Sequence, residues 1–274
     1  EIDQAACDGM IAAIVKPSSG PGTKRRIIST LEAILNHAAR RKWCDRPSFV
    51  KPAPPKGKTV WLTPAQVQAL LAVAAPHIRP LLHFLVCTGA RMSEVLELDW
   101  AQVDLSRSEA VFLETKNGTK RKAAIPSACI VTLANLPHRE GRVFRRPYRG
   151  GEGLGLSEEE RKIGTPYVDK GRVGGGQIKK AWRGACNRAG IADATPHDLR
   201  HTWATWFYAL SRDPLLLKDE GGWAQLKMIE RYAHLMPSAL APQIAGVWGE
   251  HPRIGAKSVH AVDTPFVSRE TSTG

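Results

Sequence analysis

Several side chains of the types that act on phosphodiesters are spread along this chain. His197 and Arg200 are three residues apart, so they share one face if their segment is helical. Tyr232 follows at a distance that lets a second helix fold back beside them, and Arg91 and Lys116 add two cations upstream. A tyrosine among phosphate-binding cations indicates DNA strand cleavage through a phosphotyrosine bond.

Breaking a phosphodiester with a tyrosine makes three chemical demands. The phenol, whose ordinary pKa is about 10, must lose its proton as it attacks. The charge that develops at phosphorus must be neutralised, which suits Arg91 because a guanidinium stays charged and binds phosphate oxygens in pairs. The leaving 5′ oxygen must gain a proton, and Lys116, next to a predicted hairpin tip, can swing its ammonium group towards it.

The composition favours a polyanionic partner. Among the 274 residues, Lys and Arg outnumber Asp and Glu by 39 to 26, which gives a net charge of +13. Nucleic acid is the commonest partner of such a protein, although charge alone also fits an ordinary basic soluble protein. The longest mostly apolar run, Ile78–Ala90, is interrupted by Arg79 and His83 and is too short to cross a bilayer, and the sequence shows no signal peptide. We therefore expect a cytoplasmic protein with no membrane partner.

The cysteines predict neither disulfides nor a zinc framework. They are odd in number, widely separated and without paired spacing, which is typical of reduced, buried thiols. They are Cys7, Cys44, Cys87, Cys129 and Cys186.

Two helical regions joined by a linker are expected to position the reactive groups. Residues Thr23–Trp43 have the apolar periodicity of an amphipathic helix, and a shorter helix is expected near Ile2–Val15. The run Lys51–Lys58 is rich in proline and lysine and predicts a stiff, extended linker. Thr63-Pro64-Ala65-Gln66 has the pattern of a capping box and predicts the first helix of the second region.

The middle of the chain combines helices with a hairpin. A helix is predicted over Ile78–Cys87, and a short one begins near Arg91. Ala110–Thr115 and Lys120–Pro126 have the pattern of two strands joined by the turn Asn117-Gly118.

The next stretch lacks sustained periodicity. We interpret Arg145–Gly176 as a long surface loop with a short acidic turn at Ser157–Glu160. Its glycines do not form a nucleotide-binding fingerprint, because they lack the GxGxxG spacing and no strand leads into them.

The rest of the chain is predicted to be helical up to a polar tail that begins at His251. Thr195-Pro196 caps a helix whose apolar stripe includes Leu199, Trp203 and Trp206. The other expected helices cover Gln177–Ala189, Leu215–Asp219, Met228–Leu235 and Ala239–Trp248. The sequence thus predicts a mainly α (α+β) fold, in which a helical domain with a small antiparallel β-sheet follows a partial helical domain.

Taken together, these motifs resemble those of the tyrosine recombinases of the phage-integrase type. The resemblance covers roughly Trp61–Trp248 and is specific, because separated motifs match in the family's order and at similar spacing. The motifs are Thr88-Gly89-Ala90-Arg91-Met92-Ser93-Glu94-Val95-Leu96-Glu97-Leu98, Thr115-Lys116-Asn117-Gly118, His197-Asp198-Leu199-Arg200-His201-Thr202 and Arg231-Tyr232-Ala233-His234.

The resemblance implies a site, a reaction and partners. The active-site positions fall on Arg91, Lys116, His197, Arg200, Trp223 and the nucleophile Tyr232, and Glu94 falls on an acidic position that supports the first arginine. The implied reaction needs no metal, ATP or other cofactor, forms a 3′-phosphotyrosyl intermediate and supports integration or excision of a mobile element. The implied partners are double-stranded DNA with core recombination sites and three further copies of the chain, in a tetramer on nucleoid DNA.

The resemblance also implies a domain division. Residues 1–50 resemble the second half of a helical core-binding domain, 51–59 form a linker, 60–250 form the catalytic domain and 251–274 form a tail. The chain begins at Glu1 without a methionine, so we expect a fragment or processed form that lacks the rest of that domain and any arm-binding domain.

One departure from the family pattern lies near the nucleophile. Where the family most often has Leu-Gly-His, this chain has Gly221-Gly222-Trp223. An indole N–H donates a hydrogen bond but shuttles no proton. We expect Gly221 to loosen the helix that precedes it.

Other functions remain open at this point. His197 and His201 have the spacing of a zinc-protease helix, but Asp198 is shorter than the glutamate that such a helix uses and Arg200 would lie beside the dication. A catalytically inactive DNA-binding relative and an enzyme that relaxes DNA as type IB topoisomerases do are further alternatives. Each candidate residue alone also fits an ordinary surface or packing role.

Overall fold

The computed structural model describes residues 3–46, 48–53, 59–113, 120–148, 150, 156–167, 178–233 and 238–254. The chain divides into two compact units, Glu1–Lys58 and Thr59–Gly274. In the described part the fold is mostly helical with two small antiparallel sheets, so the predicted mainly α (α+β) class is confirmed. None of the described helices is long and apolar enough to cross a membrane.

The first unit contains two helices, α1 (Gln4–Ile14) and α2 (Pro21–Arg40). Asp3 caps α1, since its side chain accepts a hydrogen bond from the backbone N–H of Ala6 at 2.8 Å. Pro21 occupies the first turn of α2, where its missing N–H costs no hydrogen bond. An ion pair between Lys51 and Glu32 fastens the following segment to α2. Part of the predicted linker, residues 54–58, lies outside the described residues.

Ten α-helices lie in the described part of the second unit. In chain order they are α3 (Pro64–Val73), α4 (Arg79–Thr88), α5 (Met92–Leu96), α6 (Ser127–Ala134), α7 (Glu158–Ile163), α8 (Lys179–Arg188), α9 (Asp198–Ser211), α10 (Pro214–Gly221), α11 (Glu230–Ala233) and α12 (Ala241–Trp248). The predicted capping box at the start of α3 is present, with Thr63 and Gln66 bonded reciprocally.

A three-stranded antiparallel sheet lies in the middle of this unit. Its strands, in spatial order, are β1 (Val103–Asp104), β2 (Glu109–Phe112) and β3 (Arg121–Ala124). The predicted strands β2 and β3 pair with Phe112 opposite Arg121. The turn that was predicted to join them lies outside the described residues.

The surface-loop interpretation of Arg145–Gly176 was wrong in its described part. Two short strands, β4 (Arg145–Arg146) and β5 (Thr165–Pro166), pair there, and α7 lies between them. The expected acidic turn is the start of α7, where Ser157 and Glu160 form a capping box. These elements could not be predicted from hydrophobic periodicity, because each is too short to show a repeating pattern within a glycine-rich stretch.

Helix α9 runs through the core of the second unit. Its predicted apolar stripe is buried, and Trp203, Trp206 and Phe207 are among the largest fully buried side chains. The segment before α3 is bound to α9, since the backbone N–H of Leu62 donates to Thr202 Oγ1 (2.9 Å) and Trp206 Nε1 donates to the carbonyl oxygen of Leu62 (3.2 Å). The helix that presents His197 and Arg200 is therefore rigidly held.

The first residues of the predicted tail are folded. The His251 ring is buried against Phe207 and Trp248, at centroid distances of 5.3 and 5.4 Å. Arg253 Nε forms an ion pair with Glu220 at 3.2 Å. The polar-tail prediction is thus wrong for these residues, and residues 255–274 lie outside the described part.

Candidate active site

One carboxylate holds two arginines at one side of the candidate site. Arg91 caps α5: its backbone N–H donates to Glu94 Oε2 (2.8 Å) and its Nη1 donates to Oε1 (2.6 Å). Arg121 on β3 donates from Nη2 to the same Oε2 at 2.8 Å. Burial raises the pKa of Glu94, but the charges and hydrogen bonds of Arg121 and Arg91 outweigh it and leave this pKa below the ordinary value. Glu94 therefore stays ionised and fixes both guanidinium groups.

The two arginines differ in their access to a ligand. The Arg91 side chain is 28% exposed, whereas that of Arg121 is 5% exposed. Arg121 also donates to the carbonyl oxygen of Glu220 at 2.5 Å, which ties β3 to α10. Arg91 can thus meet a phosphate, while Arg121 positions Glu94 from behind.

Sequence reasoning missed Arg121. Within the predicted strand Lys120–Pro126, Arg121 lies on the same face as the buried Ala123, and the exposed Lys122 lies between them on the opposite face. A charged residue on the inward face of a strand was the signal that could have indicated it, because a buried charge needs a partner.

Arg200 is held in place by backbone carbonyls. It is 4% exposed, and it donates from Nη1 to the carbonyl oxygen of Gly89 (2.5 Å) and from Nη2 to that of Gly221 (2.6 Å). Its Cζ lies 4.4 Å from the centroid of the Trp223 ring. The guanidinium group therefore has a fixed orientation before any ligand arrives.

Positive charge at the site exceeds negative charge. Burial lowers the pKa of Arg200 to about 9, and the nearby charges of Arg121 and Arg91 contribute to this shift. The group remains a cation at neutral pH. Among the described residues, Arg91 and Arg121 pair with the Glu94 carboxylate and Arg121 also feels the charge of Glu220, whereas Arg200 donates to backbone carbonyl oxygens. This arrangement suits the binding of a further anion such as a phosphodiester.

Glycines make room for the aromatic rings around Arg200. A Cβ at Gly221 would lie 1.9 Å from the Trp223 ring, and a Cβ at Gly89 would lie 2.1 Å from the Trp203 ring. Gly221 is the last residue of α10, and Gly222 caps the helix in the left-handed conformation (φ 65°), so the expected loosening of this helix by Gly221 stays a prediction. Gly221 is the residue that the tryptophan at 223 requires.

Trp223 lies between α9 and the expected nucleophile. Its ring stacks on that of Trp203 at a centroid distance of 6.0 Å and tilts against that of Tyr232 at 5.8 Å. At 9% exposed, it closes one side of the site.

Tyr232 is carried by the short helix α11 and is 2% exposed. Its hydroxyl lies 2.7 Å from Nδ1 of His201, one turn along α9 from His197. The two histidine rings meet edge to face at a centroid distance of 4.9 Å. Burial raises the pKa of Tyr232, and the charges of Arg200 and Arg231 oppose this shift in part.

His197 lies at the N-terminus of α9, beside the arginine cluster. Burial lowers its pKa, and so do the charges of Arg200, Arg91 and Arg231, while Asp198 opposes them. The neutral ring is therefore favoured.

The structure thus brings together most of the residues expected from the sequence. Arg91, Glu94, His197, Arg200, Trp223 and Tyr232 are linked by the contacts and charges described above. Lys116 lies outside the described residues. The sequence analysis did not place His201 among the expected active-site residues, although His201 directly follows Arg200.

The zinc-protease alternative gains no support in the described part of the chain. There, three potential metal ligands come together at His83, Cys87 and Cys129 rather than at His197 and His201. Both ring nitrogens of His83 already have partners, Thr132 Oγ1 at 2.7 Å and the carbonyl oxygen of Val247 at 3.1 Å.

Comparison with known proteins identifies the family. Residues 60–238 match the phage integrase family. The chain belongs to this family. It is 31% identical over 254 residues to the integrase of Salmonella phage P22, an alignment that covers 88% of this chain and 62% of that protein. Alignments with the first four curated relatives cover 33 to 62% of their lengths, so the chain spans only part of these relatives.

Solved structures of recombinases share the fold. A λ integrase (75-356) dimer bound to a COC' core site aligns with a TM-score of 0.61 at 14% identity, over 85% of this chain and 80% of that chain. XerH bound to its difH substrate in a pre-cleavage complex aligns with a TM-score of 0.59 at 18% identity, over 91% of this chain and 71% of that chain. At these identities the likeness shows the fold alone.

Proposed function

We propose that this phage integrase family member is a site-specific recombinase that cleaves and rejoins DNA strands through a 3′-phosphotyrosyl intermediate. The observation that carries this proposal is the position of the Tyr232 hydroxyl. It is hydrogen-bonded to α9, the helix that also presents His197 and the carbonyl-bound Arg200. A tyrosine held beside arginines that outnumber the neighbouring carboxylates is suited to attack a phosphodiester.

The residues divide the work of the reaction. Arg91 and Arg200 bind the non-bridging phosphate oxygens and stabilise the charge that develops at phosphorus, and Glu94 and Arg121 hold Arg91 in position. Trp223 packs against Arg200 and Tyr232 and fixes their relative placement. These donors are aligned before the substrate binds, so little reorganisation is needed at the moment of reaction.

The proton balance requires an acid and a base. The phenol of Tyr232 loses a proton as its oxygen bonds to phosphorus, and the departing 5′ oxygen gains one as its bond breaks. We propose that Lys116 donates the proton that the 5′ oxygen gains, because Lys116 falls on an active-site position of the family motif. No metal or cofactor takes part in these proposed steps.

The proposed partner is double-stranded DNA that carries core recombination sites. The net charge of +13 favours such a polyanion. The λ integrase and XerH structures that share the fold are bound to a core site and to a difH substrate. We further propose that residues 1–50 are part of a core-binding domain, and that four copies assemble on two nucleoid DNA duplexes to exchange strands, in integration or excision of a mobile element.

A suicide substrate tests the proposal. A nicked core site, from which the short 5′-hydroxyl strand diffuses away, should trap a covalent protein–DNA adduct in the presence of EDTA. Tyr232→Phe should abolish the adduct and leave DNA binding nearly unchanged. The matched control is Tyr208→Phe, which removes a hydroxyl from the same helix that carries Arg200 and should leave adduct formation intact.

Three outcomes would contradict the proposal. Adduct formation by Tyr232→Phe would show that another residue is the nucleophile. Binding without any adduct in the wild type would favour an inactive DNA-binding relative. Relaxation of supercoiled DNA without site preference would indicate a topoisomerase-like activity instead of recombination.

A further inference from the structure

The histidine bonded to the proposed nucleophile is not one of the residues expected at the site. His201 directly follows Arg200 on α9, and its Nδ1 lies 2.7 Å from the Tyr232 hydroxyl oxygen. The two rings lie at a centroid distance of 5.9 Å with an interplanar angle of 43°. Within the described part of the chain, His201 is thus the side chain placed to exchange a proton with Tyr232.

The surroundings of His201 keep its ring neutral. Burial lowers the pKa of His201 to about 4, and the proximity of His197 and the charges of Arg231 and Arg200 act in the same direction, while Asp198 opposes them. A neutral ring with its proton on Nε2 leaves the Nδ1 lone pair free to accept a hydrogen bond from the phenol.

The other neighbours of Tyr232 do not fit this role. An indole has no proton to exchange near neutral pH, which excludes Trp223 as a base. Arg200 is a cation that already donates to two carbonyl oxygens. Since burial keeps the phenol protonated, the attack needs a proton acceptor at this place.

We propose that His201 is the general base that takes the proton of Tyr232 as it attacks the phosphodiester. This inference rests on the proposed function. The bond from the phenol oxygen to phosphorus forms, the bond from phosphorus to the 5′ oxygen breaks, and the phenol proton moves to Nδ1 of His201. The 5′ oxygen takes its proton from a separate acid, assigned above to Lys116. In the rejoining step, His201 returns its proton to the departing phenol oxygen.

Substrate binding strengthens such a base. A phosphodiester brings negative charge next to His201, and an adjacent opposite charge favours the protonated ring. The imidazole therefore becomes a better proton acceptor when DNA occupies the site, whereas in the free protein Tyr232 stays protonated.

An asparagine substitution separates a base from a hydrogen-bond acceptor. In His201→Asn, the amide oxygen takes the place of Nδ1 and can accept the phenol hydrogen bond, but it cannot take the proton. We expect single-turnover cleavage of the suicide substrate to slow by about a hundredfold or more. His83→Asn is the matched control, because His83 Nδ1 makes the same kind of 2.7 Å contact with a hydroxyl, that of Thr132, away from the reaction.

Fluorinated tyrosine at position 232 supplies a second test. If His201 had only a structural role, fluorination would change the cleavage rate equally with and without His201. Fluorination lowers the phenol pKa, so the attack depends less on a base. Introduced into His201→Asn, it should raise the cleavage rate more than it does in the wild type. A His201→Asn variant that cleaves near the wild-type rate, or equal effects of fluorination in the two backgrounds, would overturn the proposal.

The outcomes for His201 are distinguishable from failure of the proposed function. If the wild type forms no adduct, or Tyr232→Phe forms one, the nucleophile assignment itself fails. If the wild type forms an adduct through Tyr232 and His201→Asn forms it equally fast, only the role of His201 fails. Melting temperature and DNA affinity of each variant show whether a lost rate reflects lost folding or binding.

Discussion

The guanidinium carbon of Arg200 lies over the indole ring of Trp223, 4.4 Å from the ring centroid. The same guanidinium donates to the carbonyl oxygens of Gly89 and Gly221, so its edge is fixed by the backbone and one face by the indole. A cation over an indole face gains electrostatic attraction in addition to packing. We therefore propose that Trp223 contributes to strand cleavage by holding Arg200 and Tyr232 in place, without transferring a proton.

Substitutions at Trp223 test this role. Trp223→His retains a donor and a ring, and it should keep substantial cleavage activity. Trp223→Ala leaves a gap between Arg200 and Tyr232 and should slow single-turnover cleavage by about a hundredfold. The rates of both variants are measured on one suicide substrate. Equal rates for the two variants would show that Trp223 only fills space.

The contact between Gly221 and Trp223 predicts an energetic coupling. A side chain at 221 would overlap the indole, so Gly221→Leu should lower the free energy of unfolding by about 2 kcal/mol. In the Trp223→His background the smaller ring leaves room, and the same substitution should cost much less. A double-mutant cycle by urea denaturation measures the coupling. Additive effects would mean that the two positions are independent.

Parts of the candidate site could be predicted from the sequence where a single motif indicates both the secondary structure and the functional side chain. His197, Arg200 and Tyr232 belong to such motifs, as does the Arg91–Glu94 pair, which caps α5. Arg121 could not be predicted in this way, because its role depends on β3 packing beside α5 and α10, a contact that no local pattern encodes. The need for a glycine at 221 could not be predicted either, since it comes from the packing of the Trp223 ring against this position.

Charge makes a prediction about DNA affinity. With a net charge of +13, the chain should bind DNA mainly through phosphate contacts. The dissociation constant of a core-site duplex should rise by about 10³-fold or more between about 50 and about 200 mM salt. Fluorescence anisotropy over this range gives the slope. Nanomolar binding that salt leaves unchanged would show that base contacts dominate instead.

The proposed role of Lys116 as the acid can be tested by cleavage kinetics on two DNA substrates that differ in the leaving atom. Lys116→Ala should slow cleavage severely on normal DNA, because the 5′ oxygen leaves without a proton. A bridging 5′-phosphorothiolate should restore most of the rate, since sulfur leaves with little need of one. Lys122→Ala is the control, because Lys122 is exposed and paired with Glu109 at 3.1 Å. Equal defects of Lys116→Ala on both substrates would restrict Lys116 to binding the phosphate.

Glu94 predicts a dependence of stability on pH. Its pKa in the folded protein is lowered, because Arg121 and Arg91 outweigh the effect of burial. In the unfolded chain the carboxyl titrates near about 4.3. The stabilisation is therefore complete above that value and is lost as the pH falls through the lower pKa of the folded state. Glu94→Gln removes this contribution and should reduce the free energy of unfolding at pH 7 by about 3 kcal/mol.

A comparison of the wild type with Glu94→Gln shows whether Glu94 stabilises the fold through its charge or only through the packing of its side chain. Urea denaturation from neutral pH down through the acid range should show the two curves converging as Glu94 becomes protonated. Glu109→Gln serves as the control at neutral pH, since the exposed pair of Glu109 with Lys122 contributes little. A gap between wild type and Glu94→Gln that stays constant with pH would mean that the carboxylate charge does not hold Arg91 and Arg121.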